Sequence, residues 1–403
     1  MYRQEIEAAK AHFARILEAQ LQRIEGMKQN ESFIDYQKLD KIVIGIVGGD
    51  GIGPYIAAQA ERVLAALLAD QINAGRIELR TIEGLTIENR IAKMQAIPDE
   101  VMGELRQCHV VLKGPTTTPD QSAGMPNIES ANVYMRRAFD LFANIRPVRV
   151  PELNIDWMFF RENTEGEYAL GSQGLSVTPD LAVDFKVTTT QGCRRIIRAA
   201  FEYARLHGKK RVTVVTKANV IKTTDGKFLS VAKEIAKEYP DIVCDDWYID
   251  IMTAKLIDPS RRSEFQVLVM PNLYGDILTD EAAQIQGGVG TAGSANVGTR
   301  YAMFEAIHGS APRMVAEGRA VYADPSSLIK AGAMMLEHIG FRQEADRLQM
   351  ALDICSQFER KVVLTGRGDG ATNEAYTDYI LETVALPNLG ERYQGFLDQL
   401  RSQ

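Results

Sequence analysis

Residues 41–54 read KIVIGIVGGDGIGP, an apolar, β-branched run that ends in glycines and a proline. The run predicts a buried strand, and the apolar periodicity of residues 56–68 predicts a helix directly after it. A dinucleotide-binding glycine fingerprint counted from Gly49 would need a sixth residue that is small, but Pro54 stands there. We therefore interpret the turn as a tight strand-to-helix connection with Pro54 in the helix's first turn, rather than as a dinucleotide fingerprint.

Strand-like and helical segments alternate along the rest of the chain. Strands are predicted at 110–112, 157–160, 211–215 and 266–270, and helices at 191–207, 230–239 and 327–339. This alternation predicts an α/β architecture. The sequence changes character near residues 142–151 and again in the glycine-rich stretch 287–298, and we interpret both stretches as crossings between two domains.

The composition is that of an ordinary globular protein, with 403 residues, 45% of them hydrophobic and 25% charged. The formal net charge of -7 argues against a nucleic-acid partner, which needs a concentrated basic surface. No apolar run approaches the roughly 18 residues of a membrane span, and the N-terminal stretch lacks a signal core, so we expect no membrane association and a cytoplasmic location. The cysteines at 108, 193, 244 and 355 have no metal-type spacing and are expected to be reduced.

The N-terminal segment, residues 1–40, has a pattern of its own. Its first 30 residues carry apolar side chains at helical spacing, at Ile6, Phe13, Ile16, Leu17, Leu21, Ile24 and Met27. We predict an amphipathic helix whose apolar face packs on the body of the protein or caps a dimer, followed by a polar connector.

Several arginines lie near apolar runs. Ser130, Asn132 and Arg136 would lie around one end of a helix, while Arg146 and Arg161 stand beside apolar stretches. Converging guanidinium groups bind a multiply charged carboxylate ligand, whereas isolated arginines form surface ion pairs. The residues alone leave both interpretations open.

Two aspartates follow a predicted buried strand. Asp276 and Asp280 are four residues apart, so their carboxylates share one face of a helix. Such oxygen ligands suit Mg²⁺, but acidic residues also stabilise the N-terminus of a helix. Spacing alone does not decide between a metal site and a helix cap, and His308 on its own is most simply structural.

Together, the motifs resemble those of the isocitrate and isopropylmalate dehydrogenase family. The matching stretches run in family order across residues 41–380: GDGIGP, LKGPTTTP (112–119), SANVYMRRAFDLFANIRP (130–147), FRENTEGEYALG (160–171), TKANVIKTTDGKF (216–228), MPNLYGDILTDEAA (270–283), GGVGTAGSANVG (287–298) and FEAIHGSAP (304–312). The resemblance implies a two-domain α/β fold that is not a classical Rossmann fold, with a large domain of 41–142 plus 287–403 and a small domain of 143–286. An N-terminal extension, 1–40, lies outside the family pattern. It also implies a homodimer whose active sites are completed by the neighbouring subunit.

The resemblance assigns chemical roles to particular residues. Asp276 and Asp280 match the family's metal-binding aspartates, with Asp250 of the partner subunit as the third, and the metal would be Mg²⁺ or Mn²⁺. Tyr168 and Lys217 match the catalytic acid and base. The residues that match substrate ligands are Lys113, Ser130, Asn132, Arg136, Arg146 and Arg161.

The substrate expected from the resemblance is isocitrate. Isopropylmalate enzymes place apolar residues where Asn132 stands, and a buried amide facing an alkyl group would lose hydrogen bonds worth about 1–3 kcal/mol. A third carboxylate can instead accept hydrogen bonds from Ser130 and Asn132. Glu129 points the other way, because isopropylmalate enzymes carry an acid there, so 3-isopropylmalate and homoisocitrate stay as alternatives. A non-catalytic regulatory subunit is the alternative of another class, although all five catalytic and metal positions are present.

The resemblance also identifies the nucleotide-binding residues, which are Thr117, Thr118, Glu305, His308, Gly309, Ser310, Ala311, Arg313 and Asp324. NAD-using relatives have an acid after HGSAP, where this chain has Arg313. Because an arginine accommodates a 2′-phosphate and a carboxylate repels it, we expect NADP, with NAD or dual use as the alternative.

Overall fold

The computed structural model describes residues 2–27, 33–119, 124, 126, 128–170, 173–288 and 292–401. The chain divides into two compact units. The large unit contains residues 34–141 and 286–403, and the small unit contains residues 1–33 and 142–285. The N-terminal segment up to residue 33 thus groups with the small unit, and the chain leaves the large unit at the start of the proline- and arginine-rich stretch that the sequence analysis singled out.

Strands and helices alternate through most of the chain. The strands are β1 (Ile42–Val47), β2 (Ile77–Ile82), β3 (Val110–Lys113), β4 (Ala143–Val150), β5 (Ile155–Glu162), β6 (Leu175–Thr178), β7 (Leu181–Val183), β8 (Arg211–Thr216), β9 (Val243–Tyr248), β10 (Val267–Met270), β11 (Gly293–Val297) and β12 (Ala302–Ala306). The helices are α1 (Arg3–Met27), α2 (Gly53–Leu67), α3 (Ala69–Asn73), α4 (Ile87–Lys93), α5 (Asp99–Leu105), α6 (Ala131–Ala138), α7 (Thr190–Leu206), α8 (Thr224–Ile235), α9 (Ile249–Ile257), α10 (Asn272–Ile285), α11 (Pro312–Ala316), α12 (Ser326–His338), α13 (Arg342–Asp353), α14 (Asn373–Val384) and α15 (Leu389–Arg401). The α/β class is confirmed.

The large unit contains five strands in the order β2-β1-β3-β12-β11. The first four pair in parallel, and β11 pairs antiparallel with β12. The central strand β1 is buried along its whole length, as its uninterrupted apolar sequence predicts. Helices α2 and α12 pack on the sheet, while side chains of α5 and α6, including Leu105 and Met135, join an apolar cluster with Val111 of β3.

The small unit repeats this plan with the strand order β4-β5-β10-β8-β9. Strand β4 is antiparallel to β5, and the other neighbours are parallel. The stretch interpreted as a crossing therefore begins a regular strand, in which Pro147 pairs with Met158. Helix α7 packs on β5, β8 and β10, and α10 packs on β5 through an apolar cluster that contains Trp157 and Leu278.

The glycine turn after β1 is a close approach of backbone segments. Gly49 and Gly51 have positive φ angles of 74° and 60°. A side chain on Gly49 would overlap the carbonyl oxygen of Pro115, and one on Gly51 would overlap that of Ser310. Pro54 lies in the first turn of α2, as predicted. The glycines thus serve the packing of neighbouring loops, which explains why the dinucleotide fingerprint fails.

Helix α1 only partly buries its apolar face. Ile16 and Met27 are buried, whereas Ile6, Leu17 and Leu21 are exposed in this chain. Within the described residues, no helix is both long and apolar enough to cross a membrane. The predicted role of this face in a dimer stays a prediction.

Candidate active site

Arg161 is the centre of the charged site in the small unit. It lies near the end of β5, with its side chain 2% exposed, and its guanidinium points to the start of α10. Nε and Nη2 donate to Asn272 Oδ1 at 3.0 and 2.7 Å, and Nη1 pairs with Asp276. Gly275 makes room for the side chain, because an added methyl group would lie 2.6 Å from Cβ of Arg161. Strand β5 and helix α10 therefore fix this guanidinium from two sides.

The two aspartates lie on one face of α10 and one turn apart, as their spacing predicts. Neither lies in the first turn, which contains no acid, so the helix-cap interpretation is wrong. The Asp276 side chain is 42% exposed and that of Asp280 is 60% exposed. Burial raises the pKa of Asp276, but the Arg161 and Arg146 cations and a hydrogen bond from Tyr168 outweigh it and lower the pKa. Both side chains are thus available to a ligand.

Arg146 supports the second aspartate. It projects from β4, is 9% exposed, and donates through Nη1 to Thr279 Oγ1 at 2.7 Å and to Asp280 Oδ1 at 3.1 Å. The surface-ion-pair alternative therefore does not describe Arg146 or Arg161, because both guanidinium groups are buried.

Tyr168 completes this group of side chains. Its hydroxyl donates to Asp276 Oδ2 at 2.9 Å, and its ring lies under the Arg161 guanidinium at 5.5 Å. Partial burial and the hydrogen bond to Asp276 raise the pKa of Tyr168. The hydroxyl therefore keeps its proton at neutral pH, which is the state that a proton donor needs.

Lys217 and Asp250 form a separate pair in the same unit. Lys217 Nζ lies 2.6 Å from Asp250 Oδ1 of the same chain, whereas the resemblance placed Asp250 on the partner. Asp250 is 66% exposed at the start of α9, and the hydrogen bond from Lys217 lowers its pKa. The two residues therefore present a lysine and a carboxylate together on the surface of one chain.

The aspartates fit a divalent metal by their chemistry. Exposed carboxylates one helical turn apart are hard oxygen ligands of the kind that Mg²⁺ and Mn²⁺ bind. Across the described ranges, no three acidic, histidine or cysteine side chains come together as a metal-binding group. Asp276 and Asp280 would therefore supply only part of a coordination shell to such a metal, with the remaining positions left to other ligands.

A second charged group lies in the large unit. Glu305 of β12 is buried and pairs with Lys113 of β3 at 3.5 Å and with Arg136 of α6 at 3.1 Å, and it accepts a hydrogen bond from Asn296. Burial raises the pKa of Glu305, but the two cations lower it to about 2. Arg136 Nε is buried and has no hydrogen-bond partner among the described residues. Arg136 thus keeps a donor for a ligand, while Lys113 is fully buried and satisfied by Glu305 and the Gly114 carbonyl.

The predicted specificity residues lie at the start of α6. Ser130 directly precedes the helix and makes no capping hydrogen bond, so its hydroxyl is not used by the helix end. Asn132 Oδ1 accepts a hydrogen bond from Thr116 Oγ1 at 3.1 Å. Glu129, which argued for isopropylmalate, is bound by Arg137 at 2.9 Å on the surface. That carboxylate therefore has a structural partner of its own.

Asp50 joins the loop of Thr117, a predicted nucleotide-binding residue, to the start of α4, and sequence reasoning missed it. It is buried in the glycine turn and accepts hydrogen bonds at 2.6 Å from the backbone N–H groups of Ile87 and Thr117. Thr117 Oγ1 is 2.8 Å from Ser310 Oγ. The signal was present in the sequence as a carboxylate between glycines, which satisfies backbone donors in tight turns.

The other predicted nucleotide-binding residues lie in the loops after β3 and β12 and before α12. His308 Nε2 is buried without a hydrogen-bond partner among the described residues, which suits a ligand at this nitrogen. Ala311 has a left-handed backbone, with φ of 44°. Arg313 is 88% exposed and pairs with Glu317 at 2.6 Å, and Asp324 caps α12 through the Ser326 N–H. Thr118 and Gly309 are exposed.

Asn272 is a second residue that sequence reasoning missed. Its side-chain oxygen accepts from Arg161, and its Nδ2 donates to the carbonyl oxygen of Glu165 at 3.1 Å. It directly follows Pro271 in the motif that contains the two aspartates, but nothing in that position marks a contact with a strand 111 residues away.

The fold and these side chains define an α/β protein in which buried arginines pair with exposed carboxylates. A family model described as isocitrate/isopropylmalate dehydrogenase matches residues 43–367. The chain belongs to the isocitrate/isopropylmalate dehydrogenase family, so the resemblance found in the motifs and the expected fold are both confirmed.

Some of the similar proteins are named as NAD enzymes and others as NADP enzymes. Mitochondrial NAD isocitrate dehydrogenase subunit 2 of Schizosaccharomyces pombe is 36% identical over 85% of this chain and 87% of that protein. NADP isocitrate dehydrogenase of Rickettsia prowazekii is 43% identical over 74% of this chain, and the match spans 59% of that longer protein. The crystal structure of isocitrate dehydrogenase from Methylococcus capsulatus is 36% identical and superposes with a TM-score of 0.74, over 86% of this chain and 100% of that one.

Proposed function

We propose that this protein oxidises isocitrate to 2-oxoglutarate and carbon dioxide, with reduction of NADP or NAD and in the presence of Mg²⁺ or Mn²⁺. The observation that carries the proposal is the linked set of Arg161, Asp276 and Tyr168, beside Asp280, in a chain of this family. A buried cation, an exposed carboxylate pair and a protonated tyrosine are what the decarboxylation of a 2-hydroxy acid needs.

The arginines are proposed to bind the substrate's carboxylates. Arg136 has an unused buried donor, and Arg146 and Arg161 are pinned by α10, so each presents its charge with little freedom to lose on binding. Ser130 and Asn132 are proposed to donate hydrogen bonds to the third carboxylate, the group that distinguishes isocitrate from an alkyl-substituted malate. Lys113 acts indirectly, by holding Glu305 ionised beside Arg136.

The lysine and the tyrosine are proposed to move protons. When the hydride leaves C2 of isocitrate, the hydroxyl proton passes to Lys217, which Asp250 orients. Loss of carbon dioxide from the resulting keto acid leaves an enolate, and Tyr168 delivers its proton to C3. Asp276 and Asp280 would hold a divalent metal, which would supply Lewis acidity favouring the ionised alcohol and the enolate.

A homodimer is the proposed assembly, with Lys217 and Asp250 of one chain serving the aspartates of the other. Two observations support it: within the described residues no third acidic, histidine or cysteine side chain joins Asp276 and Asp280, and the Asp250 carboxylate that pairs with Lys217 is exposed. An active enzyme is favoured over a regulatory subunit because none of the five catalytic and metal positions is lost.

NADP is the proposed preferred nucleotide. Arg313 is highly exposed, and its ion pair with Glu317 lies at the surface, where it is weak enough to exchange for a phosphate. Substitution Arg313→Asp is expected to shift the ratio of kcat/KM for NADP to that for NAD towards NAD. A wild-type preference for NAD, or a ratio that the substitution leaves unchanged, would overturn the assignment.

Initial rates of nucleotide reduction test the reaction itself. The purified chain alone is assayed with Mg²⁺ and with isocitrate, homoisocitrate or 3-isopropylmalate, each with NADP and with NAD. Turnover of isocitrate in preference to the other two supports the proposal. Preference for isopropylmalate would mean that Glu129 rather than Asn132 decides specificity, and no turnover of any substrate would favour the regulatory subunit.

A further inference from the structure

Helix α1 is attached to the small unit although it lies outside the region that the family model matches, residues 43–367. The ring of Phe13 stacks on Phe185 with centroids 5.4 Å apart, and His12 Nε2 lies 2.8 Å from the carbonyl oxygen of Gln173. Ile16 is 5% exposed. The helix is therefore a docked element of this unit.

Arg23, near the end of α1, forms an ion pair with the buried carboxylate of Glu165. Arg23 Nη2 lies 2.5 Å from Glu165 Oε1, and the side chain of Glu165 is 3% exposed. The same carboxylate accepts hydrogen bonds from the N–H and the hydroxyl of Thr189, at 2.8 and 2.6 Å. A buried carboxylate that loses a cationic partner must recruit water or move, because its charge is poorly solvated.

Glu165 is connected to the site described above. Its carbonyl oxygen accepts from Asn272 Nδ2, and Asn272 Oδ1 in turn accepts two hydrogen bonds from Arg161. Arg161 pairs with Asp276. Glu165 thus connects Arg23 on α1, through its side chain, to Asn272, Arg161 and Asp276, through its backbone carbonyl.

The same carboxylate lies in the loop that leads to Tyr168. Glu165 N donates to Glu162 Oε2 at 2.6 Å, and Thr164 N and its hydroxyl also donate to the Glu162 carboxylate. Tyr168 follows three residues after Glu165 and donates to Asp276. A shift of Glu165 therefore moves both the loop that carries the tyrosine and the amide that holds Arg161.

We propose that Arg23 is a positioning residue: through its ion pair with Glu165, α1 fixes Asn272, Arg161 and the loop of residues 162–168 in the arrangement that the substrate requires. The proposal rests on the function proposed above. Arg23 does not touch the reacting groups, so its removal should weaken substrate binding and the kcat/KM for isocitrate rather than abolish turnover.

The kinetic test compares three full-length variants. R23M removes the charge and keeps an aliphatic side chain, and R23K keeps the charge. K10M removes an exposed cation of the same helix that pairs with Glu7, one turn earlier in that helix. We expect R23M to raise the KM for isocitrate and lower kcat/KM about tenfold, a change of about 1.4 kcal/mol, with R23K recovering most of this loss and K10M equal to wild type. Wild-type kinetics in folded R23M, or no rescue by R23K, would overturn the proposal.

A second measurement does not depend on turnover. Hydrogen exchange of the backbone amides of residues 162–168, measured without substrate, should be faster in R23M than in wild type and K10M. If wild type fails to turn over isocitrate, the proposed function fails, whereas this exchange still tests the link from α1. Equal exchange in R23M and wild type would contradict that link.

A double variant covers the case in which R23M does not fold. R23M/E165Q removes both charges of the Arg23–Glu165 ion pair, so no unpaired charge is buried and the variant should fold. It should lose no more activity than E165Q alone, because both changes break the same contact. A loss of activity in the double variant well beyond that of E165Q alone would contradict the coupling.

Discussion

Arg161 holds its neighbours through geometry as well as charge. Its planar guanidinium contacts Asn272 through two nitrogens and Asp276 through the third. A lysine at this position keeps the charge but cannot reach both partners, since an ammonium is a compact donor without a fork. Arginine is therefore required here in a way that the charge alone does not explain.

The substitution Arg161→Lys tests this requirement. Loss of charge-assisted hydrogen bonds worth about 1.5–3 kcal/mol predicts a kcat/KM for isocitrate lower by about 10- to 100-fold. The measurement is the steady-state kinetics of R161K and wild type. The matched control is R198K, which makes the same change in an exposed arginine that pairs with Glu238. Equal values for R161K and wild type would show that charge alone suffices.

Glu162 gives the small unit a pH-dependent stability. Its side chain is buried, and burial, followed by the negative charge of Glu165, raises its pKa to about 7 despite the nearby Arg195 cation. Because the folded pKa exceeds the ordinary value of 4.5, the folded state holds the proton more tightly. The stability from this group is fully present below about pH 4.5 and is lost as the pH rises through about 7.

The substitution Glu162→Gln should remove this dependence. The difference in Tm between E162Q and wild type is expected to move in favour of the variant as the pH rises from about 5 to about 7.5. Thermal melts across this range, with the exposed E7Q as control, measure it. A Tm difference that stays constant with pH would mean that the carboxyl does not titrate in this window.

At the scale of elements, α10 must approach β5 closely enough for Arg161 to reach it. Gly275 permits this approach, because any side chain there would overlap Cβ and Cγ of Arg161. In α8, by contrast, a methyl group on Gly226 would meet no neighbouring atom. The close approach of α10 to β5 therefore requires a glycine at position 275, whereas no neighbouring atom requires one at position 226.

Gly275→Ala and Gly226→Ala form a matched pair of substitutions. The first should lower kcat/KM by at least about tenfold, because Arg161 must move, even though alanine is the better helix former. The second should leave activity unchanged and raise stability by up to about 1 kcal/mol. Steady-state kinetics and urea unfolding of both variants test these two expectations. A fully active G275A would mean that Arg161 can move without loss of activity.

Several of the strands and helices, and their alternation, were predictable from the sequence. The period of apolar residues is a local property, so β1, β5, β8 and β10 and helices α7 and α12 occur where predicted. The strand character of residues 143–150 was not predicted, since its proline and arginines disguise an alternating pattern in which Val148 and Val150 are buried.

For the whole molecule, the proposed dimer makes a quantitative prediction. K217M and D276N should each be inactive, because one lacks the base and the other a metal ligand. When the two are unfolded, mixed and refolded, half of the dimers are mixed, and each has one intact site if the site is shared. About a quarter of the wild-type activity should then return.

The refolded mixture also distinguishes the alternative assemblies. Refolding of each variant alone, and of wild type with either variant, controls for recovery of folded protein. No activity in the K217M and D276N mixture, with normal recovery in the controls, would show that Lys217 and Asp276 act within one chain. Sedimentation of the wild type then tells whether a dimer forms at all.

The sequence by itself determined the α/β class, the alternation of several strands and helices, and the family, because these follow from local periodicity and from side chains grouped in short motifs. Only the tertiary structure decided which charges pair: Arg161 with Asp276, Lys113 and Arg136 with Glu305, and Arg23 with Glu165, the last across 142 residues. Such partners depend on which strands become neighbours in a sheet, and no local pattern records that order. The burial that shifts the pKa values of Glu162, Tyr168 and Glu305 arises at the same level, since it depends on everything packed around each group.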